Sequence, residues 1–148
     1  MKTVEIYTDG ACSGNPGDGG YCAILIYNGV EKIVSGFESD TTNNRMELMA
    51  AIKGLEALKE QCNVNLYSDS QYLVDAFNLG RISQWQQKNW KNSNKKLVKN
   101  IDLWQKLVNL FNYHKITFIK VKGHEDNEYN NRCDKIAVSE YKDKNGNN

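Results

Sequence analysis

The chain has 148 residues, of which 40% are hydrophobic and 25% charged, the size and composition of one globular domain with a real core. No apolar run approaches the roughly 20 residues of a membrane span, and the N-terminus enters a strand pattern at once, unlike a leader peptide. The net charge of +1 conceals a division. Six of the 19 basic residues and none of the 18 acidic ones fall within residues 76–101, so the remainder of the chain is net acidic. A basic segment on an acidic body points to a polyanion gripped at one place. The four cysteines, Cys12, Cys22, Cys62 and Cys133, form no CxxC pair and suit reduced thiols. The expectation is a cytoplasmic protein with no membrane partner, and a monomer.

Residues 3–9 alternate, with Val4, Ile6 and Thr8 on one face and Glu5, Tyr7 and Asp9 on the other. The stretch GACSGNPGDGG reads as a Gly/Asn/Pro-rich turn in which Gly10 and Gly14 are permissive residues. YCAILIY (21–27) predicts a strand, Asn28-Gly29 a tight turn and VEKIVSGFE (30–38) the next strand, making an antiparallel meander. From about Thr42 to Gln61 the period becomes helical, with Leu48, Ala51, Ile52, Leu55 and Leu58 in one stripe. A short strand over 64–68 follows and can lie parallel to the first. A helix near 70–79 ends at Gly80, and the basic segment comes next. Ile101, Trp104, Leu107, Val108 and Phe111 mark another amphipathic helix, 115–121 the last strand and about 126–142 the last helix. Five strands in the order βββαβα…αβα predict an α/β layer fold: a five-stranded mixed sheet, three strands antiparallel and then two parallel to the first, flanked by helices. It would fill one domain over 1–142 with a basic protrusion at about 81–99, and residues 143–148 would be a disordered tail.

Two stretches echo each other. IYTDG (6–10) and LYSDS (66–70) both end a strand with Tyr-x-Asp, although aspartate is a poor strand residue. The parallel pairing puts Asp9 and Asp69 at the carboxyl ends of adjacent strands, where open α/β sheets hold their ligands. Glu47 sits at the edge of the long helix's apolar stripe, and Asp134 flanks an apolar face between Cys133 and Ala137. Four converging carboxylates repel unless cations lie among them. Oxygen-liganded divalent ions, chiefly Mg²⁺, are the natural occupants, and a pair about 3.5–4 Å apart is a device for in-line attack on a phosphodiester.

YTDGACSGNPGDGGYCAIL, TTNNRMELMAAIKGLEAL, YSDSQYLV and KGHEDNEYNNRCDKIA together resemble the signature blocks of type I ribonuclease H, especially its bacterial form. The resemblance runs from about residue 3 to 140. It implies a ribonuclease H-like fold and an endonuclease that hydrolyses the RNA strand of RNA–DNA hybrids, leaving 5′-phosphate and 3′-hydroxyl ends. It also implies two Mg²⁺ ions, with Mn²⁺ as a substitute, on Asp9, Glu47, Asp69 and Asp134. His124 is expected to assist proton transfer, the usual work of an imidazole near neutral pH.

Beside the carboxylates lie amides, which offer both donor and acceptor to 2′-hydroxyls and base edges in a wide minor groove. The resemblance assigns substrate contacts to Cys12, Asn15, Asn43, Asn44 and Gln71, and to Thr42 a DNA phosphate together with a helix cap. Asn43 and Asn44 could also serve as helix caps. In 81–99 the resemblance implies a basic handle for the DNA strand. Lys88, Lys91, Lys95 and Lys96 are its phosphate contacts, and Trp85 and Trp90 either stack on the substrate or build the core of the protrusion. Gln86 and Gln87 stand where a denser basic cluster is expected, and Glu125, Asp126 and Glu128 add negative charge after His124. Two alternatives share these features: a module that binds hybrid or double-stranded RNA without cutting, and a DNA-cutting nuclease or transposase relative of the same fold.

Overall fold

The computed structural model describes residues 1–122 and 127–144. Strands β1 (Thr3–Cys12), β2 (Gly17–Tyr27) and β3 (Val30–Thr41) come first, then α1 (Asn43–Glu56), β4 (Asn63–Ser68), α2 (Gln71–Asn78), α3 (Arg81–Gln87), α4 (Ile101–Tyr113), β5 (Lys115–Lys120) and α5 (Glu128–Lys144). They build one mixed sheet in the order β3-β2-β1-β4-β5. β1, β2 and β3 pair antiparallel, while β4 runs parallel to β1 and β5 parallel to β4. This is the fold class expected from the sequence.

The period-2 alternation of β1 decides which helix covers which face. Val4 and Ile6 lie in the larger core with Leu48, Ile52 and Leu55 of α1, Leu73 of α2, and Trp104 and Leu107 of α4. Tyr7 faces the other way and joins a smaller cluster with Cys22, Ile24, Cys133 and Ala137, under α5. The β2–β3 turn has φ of 49° at Asn28 and 76° at Gly29, the left-handed pair that a two-residue hairpin requires.

The first hairpin differs from expectation in an instructive way. β1 and β2 run on through most of the glycine-rich stretch, leaving only residues 13–16 as the connection. Gly10 is a strand residue packed onto α1, and a Cβ there would collide with the backbone of Met46 and Glu47. Gly20 meets the carbonyl of Ala137 in the same manner. These glycines admit helices close to the sheet, so the turn role foreseen for Gly10 is incorrect.

α1 stops at Glu56, five residues before the expected end. Its last turn tightens: the Ala57 amide is shared among the Lys53, Gly54 and Leu55 carbonyls, and the Leu58 amide bonds to Leu55. Leu58 still packs on the core, but from outside the helix, so the apolar stripe outlasts the helical backbone. β3 reaches Thr41 rather than 38. α5 takes in residues 143 and 144 of the expected tail, and 145–148 lie outside the described residues.

Candidate active site and nucleic-acid interface

The parallel ladder between β1 and β4 is in register from Thr3↔Asn63 to Tyr7↔Tyr67, and Asp9 and Asp69 each lie two residues beyond that last pair. β1 is the strand where the sheet changes from antiparallel to parallel neighbours, so both carboxylates stand at the topological switch point. Glu47 arrives from the first turns of α1, which Thr42 caps by accepting from the Arg45 amide at 3.2 Å. Its Oε1 accepts from the Gly10 amide at 2.7 Å, a contact that depends on the close approach of helix and strand at Gly10. The same amide donates to Asp9 Oδ1 at 3.0 Å.

Ligand oxygens of Asp9, Glu47 and Asp69 lie within 4.8 Å of one another. Asp9 and Glu47 are only 3% and 5% exposed, so water screens them poorly. Burial, with the Asp69 charge next in importance, pushes Asp9 up to about 8; the Asp134 charge adds to this. Burial and the charges of Asp9 and Asp69 hold Glu47 well above the usual carboxylate range. At this spacing each ionised pair costs on the order of 3 kcal/mol at an effective dielectric of about 20. Three such pairs would approach the roughly 5–15 kcal/mol stability of a whole domain, so the group must share protons or hold cations. Among the described residues Asp69 Oδ1 is buried without a hydrogen-bond partner, and none of the three carboxylates enters an ion pair. An all-oxygen cluster with an unclaimed acceptor fits a hard divalent cation. Asp134 stands outside the tight group, on α5, between the buried Cys133 and Ala137. His124, Glu125 and Asp126 lie outside the described residues.

The amides form a second feature. Asn15, Thr42, Asn43 and Asn44 line a cleft of about 450 Å³ together with Lys99 and Asn100. Asn15 Oδ1 accepts from the Asn43 amide at 2.9 Å, tying the first hairpin to the start of α1. Because Thr42 supplies the cap, the side chains of Asn43 and Asn44 are exposed and available to a ligand. Arg45 fixes the opposite wall through Asn100 Oδ1 at 3.0 Å and a two-pronged contact with Asp102 at 3.1 and 2.8 Å. Lys99 and Asn100 were missed by sequence reasoning as cleft residues; the only signal was their place at the end of the basic run. Gln71 is exposed at the start of α2, and Cys12 Sγ donates to the Thr41 carbonyl at 3.4 Å. His114, which carried no functional expectation, accepts from the Cys62 amide at 3.1 Å inside the fold, and burial lowers its pKa.

The basic segment begins with α3, a helix not foreseen in the sequence. Ile82 and Val98 are buried in the main core, and Trp85 lies 5.3 Å from Trp104 and 6.1 Å from Trp90, ring centre to ring centre. Both rings are half-buried, which supports the packing role of the two weighed for them. Beyond them a short hairpin pairs Lys91 with Leu97, and Asn92 Oδ1 accepts from the amides of Asn94 and Lys96. Arg81, Lys88, Lys91, Lys95, Lys96 and Lys99 are all exposed.

A mixed sheet with buried carboxylates at its switch point defines an α/β protein whose carboxylate cluster fits a divalent cation at the carboxyl ends of its central strands. Residues 1–142 match the RNase H family. A protein of Acetivibrio thermocellus named ribonuclease H is 66% identical over 142 residues, covering 96% of this chain and 97% of that one. Among solved structures, LC9-RNase H1, described as a type 1 RNase H with the type 2 active-site motif, matches with a TM-score of 0.86 at 29% identity, over 97% of this chain and 74% of that one. LC11-RNase H1 in complex with an RNA/DNA hybrid matches in fold with a TM-score of 0.67 at 22% identity, over 95% and 98% of the two chains. The chain belongs to the RNase H family and is a ribonuclease H enzyme, a nuclease.

Proposed function

We propose that this enzyme is an endonuclease that hydrolyses the RNA strand of RNA–DNA hybrids, leaving 5′-phosphate and 3′-hydroxyl ends. The observation that carries the reading is the group of Asp9, Glu47 and Asp69 at the switch point, with Asp69 Oδ1 unclaimed among the described residues. Those three and Asp134 would hold two Mg²⁺ ions, with Mn²⁺ as a substitute. Divalent ions bound there supply an activated water and stabilise the leaving oxygen. The Gly10 amide fixes two of the carboxylates at once, so their oxygens are oriented before any ion arrives. His124 is assigned proton transfer on its chemistry and its place ten residues before Asp134.

Asn15, Asn43, Asn44 and Gln71 would read 2′-hydroxyls and base edges across the minor groove, with Cys12 beside them. Thr42, Lys99 and Asn100 share the cleft with three of these amides, and the chemistry there suits a phosphate of the DNA strand. The lysines of the protrusion would neutralise further phosphates. The hybrid solved with LC11-RNase H1 supports the choice of substrate, since that protein shares the fold. We take the working form as a cytoplasmic monomer, with residues 1–142 as one catalytic domain.

The test is end-labelled hybrid, DNA duplex and double-stranded RNA, each with Mg²⁺ and with EDTA. We expect only the hybrid to be cut, only without EDTA, and a strand with one isolated ribonucleotide to be cut poorly. Binding without cutting would leave the binding-module alternative, and cutting of plain DNA would favour the nuclease or transposase alternative.

A further inference from the structure

The Tyr-x-Asp echo extends into the third dimension. Tyr7 and Tyr67, each two residues before a clustered aspartate, are register partners across β1 and β4. Their rings stack with centroids 4.4 Å apart and planes inclined by 11°. On its other side Tyr7 carries the ring of Tyr129, from the first turn of α5, at 4.8 Å and 23°. The three rings therefore run from β4 through β1 to α5: β1 and α5 carry Asp9 and Asp134, and Asp69 directly follows β4.

Every ring is also held at its rim. Tyr67 donates to Glu5 Oε1 at 2.9 Å, and Asn65 holds the other oxygen of Glu5 at 2.8 Å. Burial and that carboxylate push Tyr67 up to about 12, so its hydroxyl stays a donor. The Tyr7 hydroxyl meets Asn127, whose side chain caps α5 by accepting from the Asn130 amide at 3.0 Å. The Tyr7 carbonyl accepts from Cys133 Sγ at 3.2 Å, one residue from Asp134. The Glu31 carboxylate lies close to Tyr129, and Arg132 sits over that ring at 5.6 Å while gripping both Glu31 oxygens at 3.0 and 2.9 Å. A stack fixed at both ends resists sliding of α5 along the sheet. Mutually repelling carboxylates on separate elements need such a restraint, because without one they can relax by moving apart.

We propose that Tyr67, Tyr7 and Tyr129 are positioning residues: the backbone ladder fixes β4 against β1, and the ring stack sets where α5 lies against that pair, and through it the spacing of Asp134 from Asp9 and Asp69. This rests on the proposed reading of those aspartates as metal ligands. Supporting groups behind metal ligands characteristically change affinity or activity by about 10–100-fold when removed. Removing the middle ring while keeping strand preference (Tyr7→Val), or the outer ring (Tyr129→Leu), should lower kcat on hybrid about tenfold and weaken Mn²⁺ binding measured by calorimetry by about the same factor. KM for hybrid should stay within about twofold, and Tyr129→Phe, which keeps the ring, should restore most of both quantities. Folded variants with wild-type kcat and Mn²⁺ affinity, altered only in Tm, would overturn the proposal. If Tyr7→Val does not fold, Tyr129→Leu on the helix decides alone. Asp9→Asn run in parallel separates the two ideas: an active, Mn²⁺-binding Asp9→Asn sinks the metal-site reading itself, whereas an inactive one beside unaffected tyrosine variants sinks only the stack.

Discussion

The carboxylate cluster and the basic protrusion hold charge in opposite ways. Asp9 and Glu47 are buried within β1 and α1, bound to one backbone amide and pressed against like charge. The protrusion puts Trp85, Trp90, Ile82 and Val98 inward and leaves its lysines in water, on a short hairpin with Lys95 at a φ of 61°. Buried charge is strongly coupled and held in a fixed geometry, which chemistry at one phosphorus atom requires. Exposed charge is screened and adaptable, and this suits a backbone of repeating phosphates. In the proposed reading the chain therefore separates catalysis from grip, and each should be open to change without the other.

The largest effect should come from breaking the buried side. Asp9→Asn or Asp69→Asn should reduce Mg²⁺-dependent turnover by about a thousandfold or more, since loss of a metal-ion contribution is worth several kcal/mol in the transition state. The thermal midpoint of the metal-free protein should stay level or rise, because repulsion is relieved and no cavity opens. Turnover and thermal unfolding measured on one preparation check both halves; a variant that keeps near-full turnover would remove the two-metal reading.

The second prediction concerns protons. Asp9 is raised from 3.8 to about 8 in the folded state, so between those values the native protein holds more protons than the unfolded chain. Stability of the metal-free protein must then fall as pH rises through that window, and the raised proton affinity of Glu47 acts in the same direction. Added Mg²⁺ or Mn²⁺ should raise Tm, and more at pH 8 than at pH 5. Calorimetry with and without EDTA at the two pH values checks this, and Asp9→Asn should flatten the dependence.

On the exposed side the effects should be smaller and should vanish in salt. Changing Lys88, Lys91, Lys95 and Lys96 together to Ala should raise KM for hybrid about tenfold at low ionic strength and reduce the log–log salt slope by about 0.9 for each phosphate no longer neutralised. kcat and Tm should hardly move. A KM and slope equal to wild type would show that the lysines only keep the protrusion solvated. The smallest effect runs in the opposite direction: Gln86→Lys with Gln87→Lys should tighten binding about two- to threefold at low salt and not at all above about 0.5 M, where screening is nearly complete.

Much of this division is legible in the amino-acid sequence alone, because it is written in short-range patterns. Alternation over residues 3–9, the Asn28-Gly29 turn and the helical period of α1 and α4 each report on a few neighbouring residues. Together with the order of elements they determined the mixed sheet, and with it the meeting of Asp9 and Asp69. Glu47 was legible from its place at the edge of an apolar stripe, and the basic run from its composition.

What the sequence could not decide depends on backbones that approach one another from far along the chain. Gly10 reads as a turn residue until α1 is packed on it, and only that packing lets a single amide serve both Asp9 and Glu47. Lys99 and Asn100 become cleft residues because Arg45 draws α4 to α1 across 55 positions of sequence. Two tyrosines of the stack were visible as an echo, but the third comes from α5, whose register on the sheet no local pattern encodes. The raised proton affinity of Asp9 and Glu47 is likewise tertiary: a carboxylate's charge is in the sequence, but its distance from water and from other carboxylates exists only after the sheet and its helices have closed around it.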